Sequence, residues 1–138
     1  MVMLRNYSTS TMLEDLAKTI VKKLNLQDII IYLYNSDSHV LEYGASYSEF
    51  IQGSGLNHFP KTVSCEKGII GRVVKRQVSE LVNNIAEDRD YYFFDRKAGS
   101  EITVPIIFEC ELIGIIDTEH ITYNAFNNIN LDVLESIY

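Results

Sequence analysis

The chain has 138 residues, 46% of them hydrophobic, with Lys+Arg 12 against Asp+Glu 19 and a formal net charge of −7. That is enough apolar material for a single ordinary globular domain spanning 1–138. The acidic balance argues against a surface for nucleic acid or an anionic membrane, since both select basic patches.

Thr11, Met12, Leu13 and Glu14 read as a capping box. Leu13, Leu16, Ala17, Ile20, Val21 and Leu24 then recur at helical spacing, with Asn25 as the stop. The β-branched and aromatic run from Ile29 to Tyr34 is a strand. The turn from Asn35 to Ser38 leads into a second strand, Val40 to Tyr47, completing a hairpin. Residues 48–63, with Gly53, Ser54, Gly55 and Pro60, read as a loop or lid. Gly68 opens a short helix to Arg76, and Val78 to Val82 is a further strand. Residues 83–99, which include Tyr91, Tyr92, Phe93 and Phe94, form a second long connection.

Two strong strands follow, Ser100 to Ile106 and Gly114 to His120, joined by the acidic turn Glu109, Cys110, Glu111. Thr122 to Asn130 reads as a turn. Leu131, Val133, Leu134 and Ile137 begin a closing helix that stops within two turns, so the chain is expected to be a fragment of a longer protein. Sequential hairpins with flanking helices predict an α+β fold, an antiparallel sheet with helices on one face and the two long loops over the other. No apolar run approaches membrane-spanning length and no signal-peptide pattern opens the chain, so the expected location is cytoplasmic, with no membrane partner.

The chemistry gathers on the last two strands. Side chains alternate faces with period 2. Glu101 and Thr103 therefore share one face and Ile102, Val104 and Ile106 the other, while Ile113, Ile115, Asp117 and Glu119 fall together. A core does not accept unpaired carboxylates cheaply, so these acids are solvated, paired, or lining a pocket. Cys65 and Cys110 lack a CxxC partner and read as free thiols, and His39, His58 and His120 have no metal-ligand spacing.

Five segments in order carry a family likeness: Gly68-Ile69-Ile70-Gly71, the stretch from Asn84 to Tyr91, Ser100-Glu101 through Pro105-Ile106, Ile113-Gly114 through Glu119-His120, and Asn124-Ala125-Phe126. The chain resembles a GAF domain, most of all those attached to bacterial sensor histidine kinases and related regulators. The resemblance implies a six-stranded antiparallel sheet with the terminal helices on one face and a loop-roofed pocket on the other. It also implies a homodimer through those helices and a C-terminal output domain.

One enzymatic branch of that family is the free methionine-R-sulfoxide reductase, which works through pocket cysteines. Aligned through the glycine turn, those cysteines fall at Ile70, near Phe94 and near Pro60, and none is Cys here. A thiolate nucleophile has no substitute in isoleucine or phenylalanine, so the expectation is a non-enzymatic, small-molecule-sensing domain. In the reductase, acids at the places of Glu101, Asp117 and Glu119 hold the ligand's ammonium. The sharper hypothesis is an amine-bearing ligand among Glu101, Thr103, Asp117, Glu119, Ile70, Tyr91, Phe94 and Ser100, converging carboxylates being stabilised by a cation. The favoured reading of the acids is that Glu101 caps loop amides while Asp117 and Glu119 pair with Arg72, Arg89 or Arg96. The signature of cyclic-nucleotide GAF domains survives only at Phe126, and no Cys-His pair is present to attach a bilin. Haem would need His58 or His120, and no cofactor or metal is assigned.

Overall fold

The computed structural model describes residues 2–49, 59–90 and 99–136, with side chains in the first helix from Thr11 onward. The order is α1 (Val2–Leu24), β1 (Asp28–Asn35), β2 (Val40–Ser48), β3 (Thr62–Ser64), α2 (Gly68–Arg76), β4 (Glu80–Val82), a single 3₁₀ turn at Ile85–Glu87, β5 (Ser100–Phe108), β6 (Glu111–His120) and α3 (Asn128–Glu135). The six strands form one antiparallel sheet in the order β3-β2-β1-β6-β5-β4. The expected α+β architecture is present.

Each face of the sheet carries its own apolar cluster. On one, Ala17, Ile20 and Val21 of α1 and Leu134 of α3 pack against Ile29, Ile31, Ile102, Val104 and Ile116. On the other, Ile70, Val73 and Val74 of α2 pack against Ile30, Tyr32, Leu41 and Ile115. The period-2 alternation of β1 and β6 decides this division. The sheet's centre joins distant parts of the chain, since Ile30 lies opposite Asp117 and Leu33 opposite Gly114. A Cβ on Gly114 would run into the Tyr32 carbonyl oxygen, so the close approach of the two central strands requires glycine there.

Several boundaries differ from the sequence expectation. α1 begins at Val2, so Thr11 and Glu14 lie inside a helix rather than at its cap. A cap needs a non-helical residue, and the α1 backbone supplies none at that place. Asn25 does end the helical run, at φ 55°. β3 lies within what reads as loop, its three residues being too few to show alternation. β4 starts at Glu80 because Gln77, left-handed at φ 55°, turns the chain first. Ile113 leaves the face of Ile115: Ile106 pairs with Gly114 and Ile107 with Leu112, so Ile113 is the extra residue of a bulge and is exposed.

The closing helix starts at Asn128, inside the expected turn, because Asn127 caps it. The Asn127 side chain accepts from Asn130 N and the Asn130 side chain accepts from Asn127 N, both at 2.9 Å. Asn127→Ala removes one of these bonds and is expected to lower stability by about 1 kcal/mol, read as an earlier midpoint in urea unfolding.

Candidate functional site

Antiparallel register brings the acids together. Glu101 on β5 lies opposite Glu119 on β6, and Thr103 opposite Asp117. Directly opposed side chains on one face are contact neighbours, and one oxygen from each of Glu101, Asp117 and Glu119 lies within 4.8 Å of the other two. Glu101 is 4% exposed and Asp117 3%, with Glu119 half-buried. The Thr103 hydroxyl lies 2.7 Å from Asp117 Oδ1 and 3.2 Å from Glu101 Oε2. Burial pushes the Glu101 carboxyl well above its usual range. The negative charge of Asp117, a hydrogen bond shared with it and the charge of Glu119 add to the effect, against an opposing hydrogen bond from Thr103.

Arg72, offered by the sequence as a partner for Asp117 or Glu119, turns elsewhere. Its Nε and Nη2 grip Glu80 at 2.6 Å each, Nη1 and Nη2 grip Asp88 at 2.9 Å each, and Nη1 reaches Asp90 at 2.7 Å. The guanidinium side chain is 11% exposed, and it ties α2 to β4 and to the segment beyond the 3₁₀ turn. Arg89 lies on the surface 3.9 Å from Asp90. Arg96 lies outside the described residues. Gln77, left-handed between Arg72 and Glu80, folds the two back on each other, and nothing in the residue pattern marked it as the turning point.

Of the other expected site residues, Ile70 is buried in the α2 cluster on the same side of the sheet as the acids. Ser100 faces the opposite side with Ile102, donating from Oγ to Thr122 O at 2.8 Å and accepting from Ala125 N at 3.3 Å. It anchors the chain after β6 and does not join the acids. Tyr91 and Phe94 lie outside the described residues, as does His58. His120 meets Phe126 edge-on at 6.2 Å, Phe126 belonging to the helix-side core.

The thiols lie toward the other end of the sheet. Asp117 pairs with Ile30, whereas Ser64, next to Cys65, reaches Asn35 of β1 through Val40. Five residues of strand separate these rows, about 17 Å at 3.3 Å per residue. Cys110 sits in the β5–β6 turn beyond Phe108, which lies five residues and about 17 Å of strand from Thr103. Burial, aided by the charge of Glu66, pushes the Cys65 thiol up. Both cysteines line a cleft of about 780 Å³, together with Tyr34, His39 and Glu66. His39 Nδ1 lies 2.8 Å from the Tyr34 hydroxyl, and His39 Nε2 lies 3.0 Å from Glu66. Among the described residues no helix is long and apolar enough to cross a membrane.

The family model described as GAF domain matches residues 7–138. A curated relative, the free methionine-R-sulfoxide reductase of Saccharomyces cerevisiae, is 26% identical over 88 residues, covering 59% of this chain and 49% of the relative. The chain thus spans about half the length of that relative. Among solved structures, the free methionine-R-sulfoxide reductase of Neisseria meningitidis in complex with its substrate superposes with a TM-score of 0.79 at 16% identity, over 91% of this chain and 71% of that one. The type II free methionine-R-sulfoxide reductase of Thermoplasma acidophilum gives 0.81 at 18%, over 96% and 88%. The GAF domain from an Acinetobacter phosphoenolpyruvate-protein phosphotransferase gives 0.76 at 16%, over 93% and 76%. The expectation that the chain is not an enzyme is overturned by these relatives. The curated relative and several of the solved structures are reductases.

Proposed function

The chain belongs to the GAF domain family, and from that premise we propose that its carboxylate pocket takes free methionine-R-sulfoxide and supports its reduction. One observation carries the reading: Glu101, Asp117 and Glu119 converge around a single point on the α2 side of the sheet. A primary ammonium has three N–H donors, which match three converging carboxylate oxygens. A bound cation also relieves the mutual repulsion of the acids. The names of the reductase relatives supply the ligand class.

The register then constrains the chemistry. The ammonium and sulfur of a free methionine sulfoxide are joined by a short aliphatic chain, far shorter than the rows that separate Asp117 from Cys65. The electrons therefore come from two soluble thiols. The sulfoxide oxygen leaves as water with two protons, the sulfur becomes a thioether, and the thiols join as a disulfide. The protein's share is to anchor the amino acid and orient its sulfoxide.

Incubation with methionine-R-sulfoxide and dithiothreitol, followed by chromatography of methionine, tests this. Turnover is expected to persist in Cys65→Ser and Cys110→Ser and to vanish in Asp117→Asn. Saturable binding without turnover would instead support a sensory role for the same pocket, and absence of binding would overturn both. The sensory reading is favoured by the buried Ile70, which stands where the resemblance places a thiol. In that reading, occupancy is relayed through the terminal helices to an attached output domain of a bacterial signalling protein.

A further inference from the structure

Both thiols of the chain border one space. The cleft of about 780 Å³ is lined by Cys65 after β3, by Cys110 in the β5–β6 turn, by Lys75 near the end of α2 and by Glu111 at the start of β6. Its size is that of a small-molecule site. Cys110 is exposed. Cys65 is 4% exposed, and its S–H, a weak donor, has no acceptor among the described residues. A buried polar group that borders a space without a partner is one that a ligand can satisfy. Phe108 pairs with Glu111, so Glu109 and Cys110 are the whole loop, with φ 50° and 67°. Two positive φ values make the tight turn that matches the twist of a hairpin, and this turn sets Cys110 on the rim.

The walls carry both signs of charge. His39 and Glu66 are already joined at 3.0 Å. Lys75 and Glu111 form no ion pair among the described residues, which leaves them for a zwitterion, its carboxylate on Lys75 and its ammonium on Glu111. A metal ion is not served here. Among the described residues, the trio of His, Cys, Asp or Glu ligand atoms that lies within 4.8 Å of one another is Glu101, Asp117 and Glu119, none of which lines the cleft.

We propose that the cleft is a thiol–disulfide exchange site, where Cys110 takes up half of a small disulfide with amino-acid ends and that half stays seated between Lys75 and Glu111. The Cys110 thiolate attacks one sulfur of the disulfide and the S–S bond breaks. Its electron pair leaves on the other sulfur, which takes a proton and departs as a free thiol. One disulfide bond is exchanged for another, so no further oxidant is needed. Cys65 does not resolve the adduct, because burial and the charge of Glu66 push its thiol up and keep it protonated. The reduction proposed above joins two soluble thiols as a disulfide, so its co-product is a source of this substrate. That link alone rests on the functional reading.

Oxidised glutathione, which carries both charges, is the probe. The wild-type chain is incubated with it at neutral pH, and the product is read by intact mass and peptide mapping. One glutathione per chain is expected, on Cys110, at a rate that saturates with probe concentration and is retained in Cys65→Ser. Lys75→Gln is expected to slow the reaction at low probe concentration by about fivefold, the upper range for an exposed ion pair. A rate that stays proportional to concentration and is equal in Lys75→Gln overturns the proposal, since it describes an exposed thiol without a seat. A Cys65–Cys110 cross-link in place of the adduct overturns it too, as does the absence of any adduct. No methionine-R-sulfoxide enters the experiment, so its failure and that of the reductase reading are read separately.

Discussion

Replacing Arg72 with alanine lowers the stability of the domain by about 3–5 kcal/mol, the usual cost of removing one partner from a buried ion pair. The guanidinium is 11% exposed and makes five hydrogen bonds to three carboxylates. Its loss leaves Glu80 and Asp88, at 23% and 12% exposure, facing each other with Asp90 and no cation between them. For a chain of this length the melting temperature is expected to fall by about 10 °C or more, measured by calorimetry. Arg72→Lys rescues little, because a single ammonium cannot serve two bidentate partners at once. The same clasp sets an acid limit. Hydrogen bonds from Arg72 hold Asp88 below its ordinary value, ahead of the opposing effect of burial. A depressed carboxyl contributes stability that is present above its unfolded value and lost as the pH falls through its folded one. The wild type therefore loses stability below the usual carboxylate range, and Arg72→Ala loses less over that window.

With the proposed ligand, methionine-R-sulfoxide, Asp117→Asn is expected to weaken binding by about 2–5 kcal/mol, the range for truncating a buried, hydrogen-bonded charge. The dissociation constant then rises from about thirtyfold to several thousandfold, as read by calorimetry. The substitution keeps the shape of the side chain, 3% exposed between Ile116 and Thr118, which are themselves buried. The fold is therefore expected to survive and the loss to be specific to the ligand. A variant that melts like the wild type and binds as tightly would remove Asp117 from the site.

The parts of this architecture that were legible in the sequence are those where burial imposes a period. Leu13, Ala17, Ile20 and Val21 mark one face of α1, and all four pack on the helix-side core. Glu101 with Thr103, and Asp117 with Glu119, follow the strict alternation of paired strands, so their convergence was visible as a face before any register was known. What escaped is what alternation does not encode. The bulge at Ile113 shifts one residue with no signature in its neighbours. β3 is too short to show a period. The Asn127–Asn130 cap uses asparagine at both ends, which reads as turn composition until the two side chains are seen to be reciprocal. The partners of Arg72 depend on which way α2 points its side chain, and three acids at separations of 8, 16 and 18 residues carry no common spacing. The distance between acids and thiols needed the strand order, because chain separation says nothing about rows in a sheet.

The pairing of β1 with β6 also governs the order of events as the chain is made. Ile30 waits for Asp117, and Leu33 for Gly114, so the centre of the sheet is the last part to be written by the ribosome. Until β6 emerges, α1, β1 and β2 form half a sheet whose open edge carries Ile29, Ile30 and Ile31. Contacts this distant close slowly, and an unpaired apolar edge is where partly made chains adhere to one another. Fragments ending before residue 111 are therefore expected to collect as aggregates or on chaperones, while chains that reach residue 120 bury that edge.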